Sequence, residues 1–166
     1  MWVSPSYDPA LNLTYWGTGN PGPDWNPDQR PGDNLYTDSV IALDPDTGAM
    51  KWHFQFSPND PYDYDSVQVG VLADINFKGT PTKAILWANR NGFFYVLDRT
   101  NGKFLLGAPF VKVNWASGLD ANGRPIPTPP GSSWSTTSTP TAPRHWSGSW
   151  RPAATSQTTS AARSSP

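Results

Sequence analysis

The chain has 166 residues and no cysteine, which excludes disulfide staples and thiolate metal sites within it. It also lacks a charge excess of either sign: 12 Lys and Arg stand against 13 Asp and Glu, for a net charge of −1. A phosphate-binding surface needs a basic surplus, so this balance argues against a nucleic-acid partner. No apolar run approaches the roughly 18 residues that a membrane span requires. The first residues, "MWVSPSYDP", have neither the basic start nor the apolar stretch of a signal peptide. They read as the middle of a domain. One local absence matters most: no Lys or Arg occurs between Lys51 and Lys78, although Asp60, Asp63 and Asp65 fall inside that gap.

What the chain has in quantity is Trp (9), Pro (19) and Gly (14). Aromatic residues punctuated by turn formers predict many short strands and tight turns, hence an all-β fold. "SVIALD" runs through the turn "PDTG" into "MKWHFQF", and "KAILWAN" runs through Asn91-Gly92 into "FFYVLD". Asn-Gly between apolar runs is a strong hairpin signal, because both residues tolerate positive φ. Strands this close in sequence predict an antiparallel meander from Leu13 to about Leu106. "ALDPDTGAMKW" (42–52) and "VLDRTNGKFLL" (96–106) share Leu-Asp, a Gly turn and an apolar residue after it. A strand-turn-strand unit recurring at about fifty residues is the spacing of propeller blades, though Asp-x-x-x-Gly turns also occur in other β proteins.

From Thr128 the composition changes. The last 39 residues contain no Asp, Glu, Lys, Leu, Ile, Val, Met, Phe or Tyr, and 18 of them are Ser or Thr. Such a segment cannot bury enough apolar surface to offset its ordering entropy. The expected organisation is a folded region over 1–127 and a Ser/Thr/Pro tail over 128–166, either disordered or translated out of frame. No function is assigned to the tail.

In an extended "PNDPYDYDSVQ", Asp63 and Asp65 point one way and Tyr62 and Tyr64 the other. Two carboxylates about 5 Å apart repel by about 3 kcal/mol at an effective dielectric near 20. Solvation, a shared proton or a hard cation offsets this, and calcium-like ions take six to eight oxygen ligands of this kind. "WGTGNPGPDWNPDQRPGDN" (16–34) reads as a long loop, and long loops inside compact domains are often functional. Asn20 precedes a proline, which biases its backbone away from the helical region, and with glycines flanking the turn the arrangement is able to hold its side-chain amide oxygen in one direction.

Over residues 2 to about 129 the chain resembles the quinoprotein alcohol dehydrogenases of the methanol/ethanol type, which use pyrroloquinoline quinone (PQQ). The resemblance rests on "YDPALNLTYWGTGNPGPDWN", "RPGDNLYTDSVIALDPDTGAMKW", "NDPYDYD" and "ANRNGFFYVLDRTNGK". It implies an eight-bladed β-propeller with tryptophan-docking motifs, of which this chain supplies about two blades. It implies that Asn20, Asp63 and Asp65 hold the active-site metal, with Asp63 also the catalytic base. Trp2 then lies against the PQQ ring, Arg90 hydrogen-bonds its quinone oxygens, and Trp25 lines the substrate pocket. An aspartate at position 65 is similar to the lanthanide-dependent members, so a lanthanide(III) is expected in preference to Ca2+. Asp60 is expected to be a turn or cap residue. Asn59 and Tyr62 depart from the family's usual residues beside the catalytic acid.

The same resemblance implies a primary alcohol as substrate, cytochrome c as electron acceptor and a periplasmic location. It also implies an upstream glutamate ligand and further blades outside this sequence, so the chain is expected to be an internal fragment, inactive alone. The alternatives are a non-catalytic propeller scaffold, which the repeats fit equally well, and a calcium-stabilised binding module.

Overall fold

The computed structural model describes residues 3–128; Trp2 and the tail from residue 129 lie outside the described residues. Two antiparallel four-stranded meanders follow each other along the chain. The first comprises β1 (Ser6–Asp8), β2 (Leu13–Gly17), β3 (Ser39–Leu43) and β4 (Met50–Gln55). The second comprises β5 (Val71–Phe77), β6 (Thr80–Ala88), β7 (Phe93–Asp98) and β8 (Phe104–Pro109), and a hairpin of β9 (Ala116–Leu119) and β10 (Pro125–Pro127) completes the described residues. Each meander is one propeller blade, and the all-β expectation holds.

The sequence repeat is also a structural repeat. In the first copy Asp44 N–H donates to the Ala49 carbonyl at 2.9 Å and Gly48 N–H to the Asp44 carbonyl at 2.8 Å. In the second, Asp98 N–H donates to the Lys103 carbonyl and Gly102 N–H to the Asp98 carbonyl, both at 2.8 Å. The aspartate side chains then accept the next free N–H groups, Asp46 and Thr47 in one turn and Thr100 in the other. Both hairpins shift register at the equivalent place, between Ala42 and Leu43 and between Val96 and Leu97. The β9–β10 turn repeats the device, with Asp120 Oδ1 accepting from Asn122 and Arg124 N–H.

The Asn91-Gly92 turn differs from expectation. Asn89 N–H closes onto the Phe93 carbonyl at 2.9 Å, so the loop is longer than two residues. Within it Gly92 takes a positive φ and Asn91 does not. The Asn91 side chain is buried instead, donating to the Phe56 carbonyl and to the Tyr95 hydroxyl and accepting from Phe93 N–H. Its amide is committed to the core, which removes it from the left-handed position.

The core lies between the blades. Tyr15, Val40, Trp52 and Phe56 of the first meet Ile85, Trp87, Phe93, Tyr95 and Leu97 of the second. Phe56 is the hinge point, with ring centroids 4.8 Å from Tyr95 and 5.4 Å from Trp87. Each such side chain contributes about 1.5–3 kcal/mol by leaving water. Trp52 rests on the second blade's turn at Gly102, where a Cβ would stand 2.6 Å from the indole. That close approach, together with a φ of +77°, is why Gly is required there.

Arg99 clasps the same seam. Its guanidinium donates to Asp8 at 2.6 Å and to the Ala73 carbonyl at 2.8 Å, and it pairs with Asp74 at 2.7 Å. Burial works against its charge, but these carboxylates outweigh that cost and hold its pKa above the ordinary value.

Candidate metal centre

The acidic segment is not a strand. No element covers Ser57–Gly70, and Asp63 has a left-handed φ of 62°. The extended reading of alternate faces is therefore corrected: a turn, not a pleat, sorts the side chains. Asp60 makes that turn, accepting from the N–H groups of both Tyr62 and Tyr64. This is the capping role expected of it. Tyr62 and Tyr64 still gather together, 5.2 Å apart, and both lie against Trp115.

The segment docks on the end of β2. Ser66 N–H donates to the Thr18 carbonyl at 2.9 Å, continuing past Gly17, where any Cβ would sit 1.9 Å from the Ser66 carbonyl oxygen. Glycine at 17 thus permits a backbone crossing that brings Asp65 to Asn20. Asn20 N–H donates to Asp65 Oδ1 at 2.9 Å, and Arg90 pairs with Asp65 Oδ2 at 3.0 Å. Arg90 comes from the β6–β7 loop, so the second blade supplies a cation that is remote in sequence. Its other N–H groups have no partner among the described residues.

Asp63 is half-buried beside this pair. Burial, then the charge of Asp65, raise its pKa, while Arg90 opposes and Asp24 adds to the rise. Asp38, which the sequence reading did not single out, is fully buried. Burial, then Asp60, Asp65 and Asp63, push its pKa up to about 8, against the opposing charge of Arg30. Burial also raises Asp60, although its two backbone donors resist.

Arg30 is the second cation and was also missed. It is buried, yet every acceptor it finds is neutral: the carbonyls of Pro23, Asp24 and Asp60 and the amide oxygens of Asn34 and Asn59. It ties the 23–34 loop to the acidic segment. Four carboxylates, Asp38, Asp60, Asp63 and Asp65, thus share a region with two guanidiniums, Arg30 and Arg90.

The donor chemistry fits a hard cation: carboxylate and amide oxygens, with no sulfur. The Asn20 amide fits as well, since its Nδ2 is buried without a partner while its Oδ1 has none among the described residues. Among the described residues no three Asp, Glu, His or Cys side chains converge on one point; Asn20 and Asp65 meet through the Asn20 backbone N–H, with Asp63 in the field of Asp65. Trp25 stands out to solvent, 70% exposed, beside Asp24, whose charge reaches Asp63. Trp2 lies outside the described residues.

Comparison with known proteins agrees with this architecture. The family model described as "PQQ: Glucose/ethanol/alcohol dehydrogenase, beta-propeller domain" matches residues 1–164. The quinoprotein alcohol dehydrogenase PedH of Pseudomonas putida is 57% identical over 128 residues, 75% of this chain and 21% of that protein. The 1-butanol dehydrogenase (cytochrome c) of Thauera butanivorans is 58% identical over 100 residues, 60% of this chain and 14% of that protein. A solved europium-containing methanol dehydrogenase superposes with a TM-score of 0.74 at 45% identity, covering 77% of this chain and 22% of that one. The chain spans between 14% and 22% of the length of these relatives. It belongs to the PQQ-type glucose/ethanol/alcohol dehydrogenase β-propeller family.

Proposed function

We propose that the chain is part of a periplasmic quinoprotein that oxidises primary alcohols to aldehydes, with PQQ and a lanthanide(III) or Ca2+ ion as cofactors and cytochrome c as electron acceptor. The observation that carries this reading is the meeting of Asn20, Asp65 and Arg90 from three separate segments, with Asp63 in their field. The names of the relatives support the alcohol substrate, and one of them names cytochrome c. A europium-containing relative supports a trivalent ion.

Asn20, Asp63 and Asp65 are the residues that would hold the ion, and the exposed donors of Arg90 would hold quinone oxygens. When bound, PQQ with its ion supplies the electrophilic two-electron acceptor for the hydrogen leaving the alcohol carbon. Asp63 accepts the alcohol's O–H proton at a carboxylate oxygen. Burial and the charge of Asp65 raise its basicity toward that task. Arg90, anchored through one nitrogen by Asp65, keeps its remaining N–H donors for developing negative charge. Trp25 offers an exposed apolar face for the alcohol's carbon chain, and the family resemblance assigns Trp2, outside the described residues, to PQQ binding.

The test is a titration of the chain with PQQ, with and without La3+ or Ca2+, read by tryptophan fluorescence. Metal-dependent quenching is expected; quenching indifferent to metal, or none, would return the chain to a scaffold or a plain cation-binding module. Alone, the chain is expected to turn over no alcohol. Robust turnover with added PQQ and metal would contradict its reading as an incomplete site.

A further inference from the structure

Asp38 is fully buried, and among the described residues neither carboxyl oxygen has a hydrogen-bond partner. Leaving such a group unpaired is costly, so its presence needs an account. Two other buried polar atoms share the condition, Nδ2 of Asn20 and Oγ of Ser57. The backbone joins all three residues. Asp38 N–H donates at 2.9 Å to the carbonyl of Gly19, next to Asn20, and Phe56 N–H, next to Ser57, donates at 2.8 Å to the carbonyl of Asp38. A left-handed φ of 47° takes residue 38 out of the β2–β3 alternation. Asp38 also lies within the field of Asp65, whose Oδ1 accepts the Asn20 N–H.

Their chemistries are complementary. Asn20 Nδ2 and the Ser57 hydroxyl are donors, Asp38 is an acceptor, and no two of them bond directly. One small group that accepts from the amide and donates to the carboxyl satisfies both, which is the ordinary part played by buried water. Groups that ligate a metal are usually held in orientation by such outer partners.

We infer that Asp38 is a positioning residue for the cation site: through a bridging water its carboxyl takes the Asn20 Nδ2 hydrogen, and this turns Asn20 Oδ1 toward the ion. The inference rests on the reading of Asn20 as a metal ligand. The role asks for an oxygen acceptor and not for a charge, so an amide in place of the acid preserves it.

Tb3+ is the probe, bound to the 166-residue chain, with affinity read from tryptophan-sensitised luminescence and coordinated waters counted from decay rates in H2O and D2O. Asp38→Gly, which keeps the left-handed backbone and removes the acceptor, is expected to weaken Tb3+ binding roughly 10- to 100-fold and to add one coordinated water. Asp38→Asn is expected to stay within about threefold of the parent chain. In an Asn20→Ala background, Asp38→Gly is expected to cost nothing further, since it acts through the missing amide. Unchanged affinity and hydration in Asp38→Gly, or a full additional loss in the double variant, overturns the inference while leaving the cation site standing. If Asn20→Ala itself leaves Tb3+ binding unchanged, or the parent chain binds none, the cation reading fails and takes the inference with it. Loss of the near-ultraviolet circular dichroism of Asp38→Gly without metal would assign Asp38 to folding and also overturn it.

Discussion

The indole Nε1 of Trp52 donates to the backbone carbonyl of Arg99 at 3.2 Å, across the seam between the two blades. The same carbonyl accepts from the Tyr15 hydroxyl at 3.0 Å, so one acceptor holds two aromatic anchors of the first blade. Trp52→Phe keeps most of the apolar contact and loses the donor, for an expected cost of about 1–2 kcal/mol. Trp52→Ala also opens a cavity over Gly102, for an expected cost of about 3–5 kcal/mol. Urea midpoints at unchanged slope are the measurement. Equal effects of the two changes would show that the hydrogen bond, and not the contact, holds the seam.

Gly17 is the point where the acidic segment crosses β2. A methyl there would stand 1.9 Å from the Ser66 carbonyl oxygen, which is backbone and cannot rotate aside. Gly17→Ala is expected to lift residues 65–67 from β2 and to cost about 3 kcal/mol. Hydrogen exchange reads it directly. The Ser66 N–H, now bonded to Thr18, and the Asn20 N–H, now bonded to Asp65, should both lose protection. Unaltered exchange at both would mean that Asp65 reaches Asn20 without this crossing.

Much of this was legible in the sequence, and the reason differs by residue. The hairpins around "DPDTG" and "DRTNG" were readable because each turn is closed by groups within five residues. Asp63 and Asp65 stood out as acids without a nearby cation and Asn20 by its place before a proline in a long loop, while the family resemblance gave them roles and added Arg90; Asn20, Asp65 and Arg90 do meet. Arg30, Arg99 and Gly17 left no such signal. Arg30 bonds mainly to backbone carbonyls, which every residue type offers, Arg99 reaches Asp8 from 91 positions away, and Gly17 answers to a carbonyl 49 positions away. Asp38 sat in plain view within "NLYTDS", but its backbone is held by Gly19 and Phe56, both remote in sequence. The extended reading of 58–68 failed because Asp60 captures the N–H groups that a strand would have offered to a partner.

The buried acids give the metal-free chain an inverted pH dependence. Asp38 is held near pKa 8 in the fold, against 3.8 as its ordinary value, by burial, then by Asp60, Asp65 and Asp63, with Arg30 opposing. Between those values the folded state binds more protons than the unfolded chain, so stability falls as pH rises. The slope is at most about 1.4 kcal/mol per pH unit for one carboxyl. Asp33, whose pKa Arg124 lowers, works the other way only below the ordinary carboxylate range. Melting temperature should therefore decline from pH 5 to pH 8, and Asp38→Asn should flatten the decline. A melting temperature that rises over that interval would refute the assignment.

Two arginines invite opposite judgements from distance and from burial. Arg124 makes a short fork to Asp33, at 2.6 and 2.7 Å, but both side chains are about half exposed. Solvent screening limits such a pair to about 0–1 kcal/mol. Arg30 forms no ion pair among the described residues, yet it is buried and serves five neutral acceptors from the 23–34 loop and the acidic segment. Lysine carries the same charge without the planar fork, so most of those acceptors would be left unmet in Arg30→Lys. The expected order is a loss of about 2–4 kcal/mol for Arg30→Lys and under about 1 kcal/mol for Arg124→Ala. Arg30→Lys should also free the segment carrying Asp24 and Trp25, seen as faster proteolysis between Pro23 and Pro31. The reverse order would mean that the exposed fork, not the buried hub, holds this loop beside Asp63.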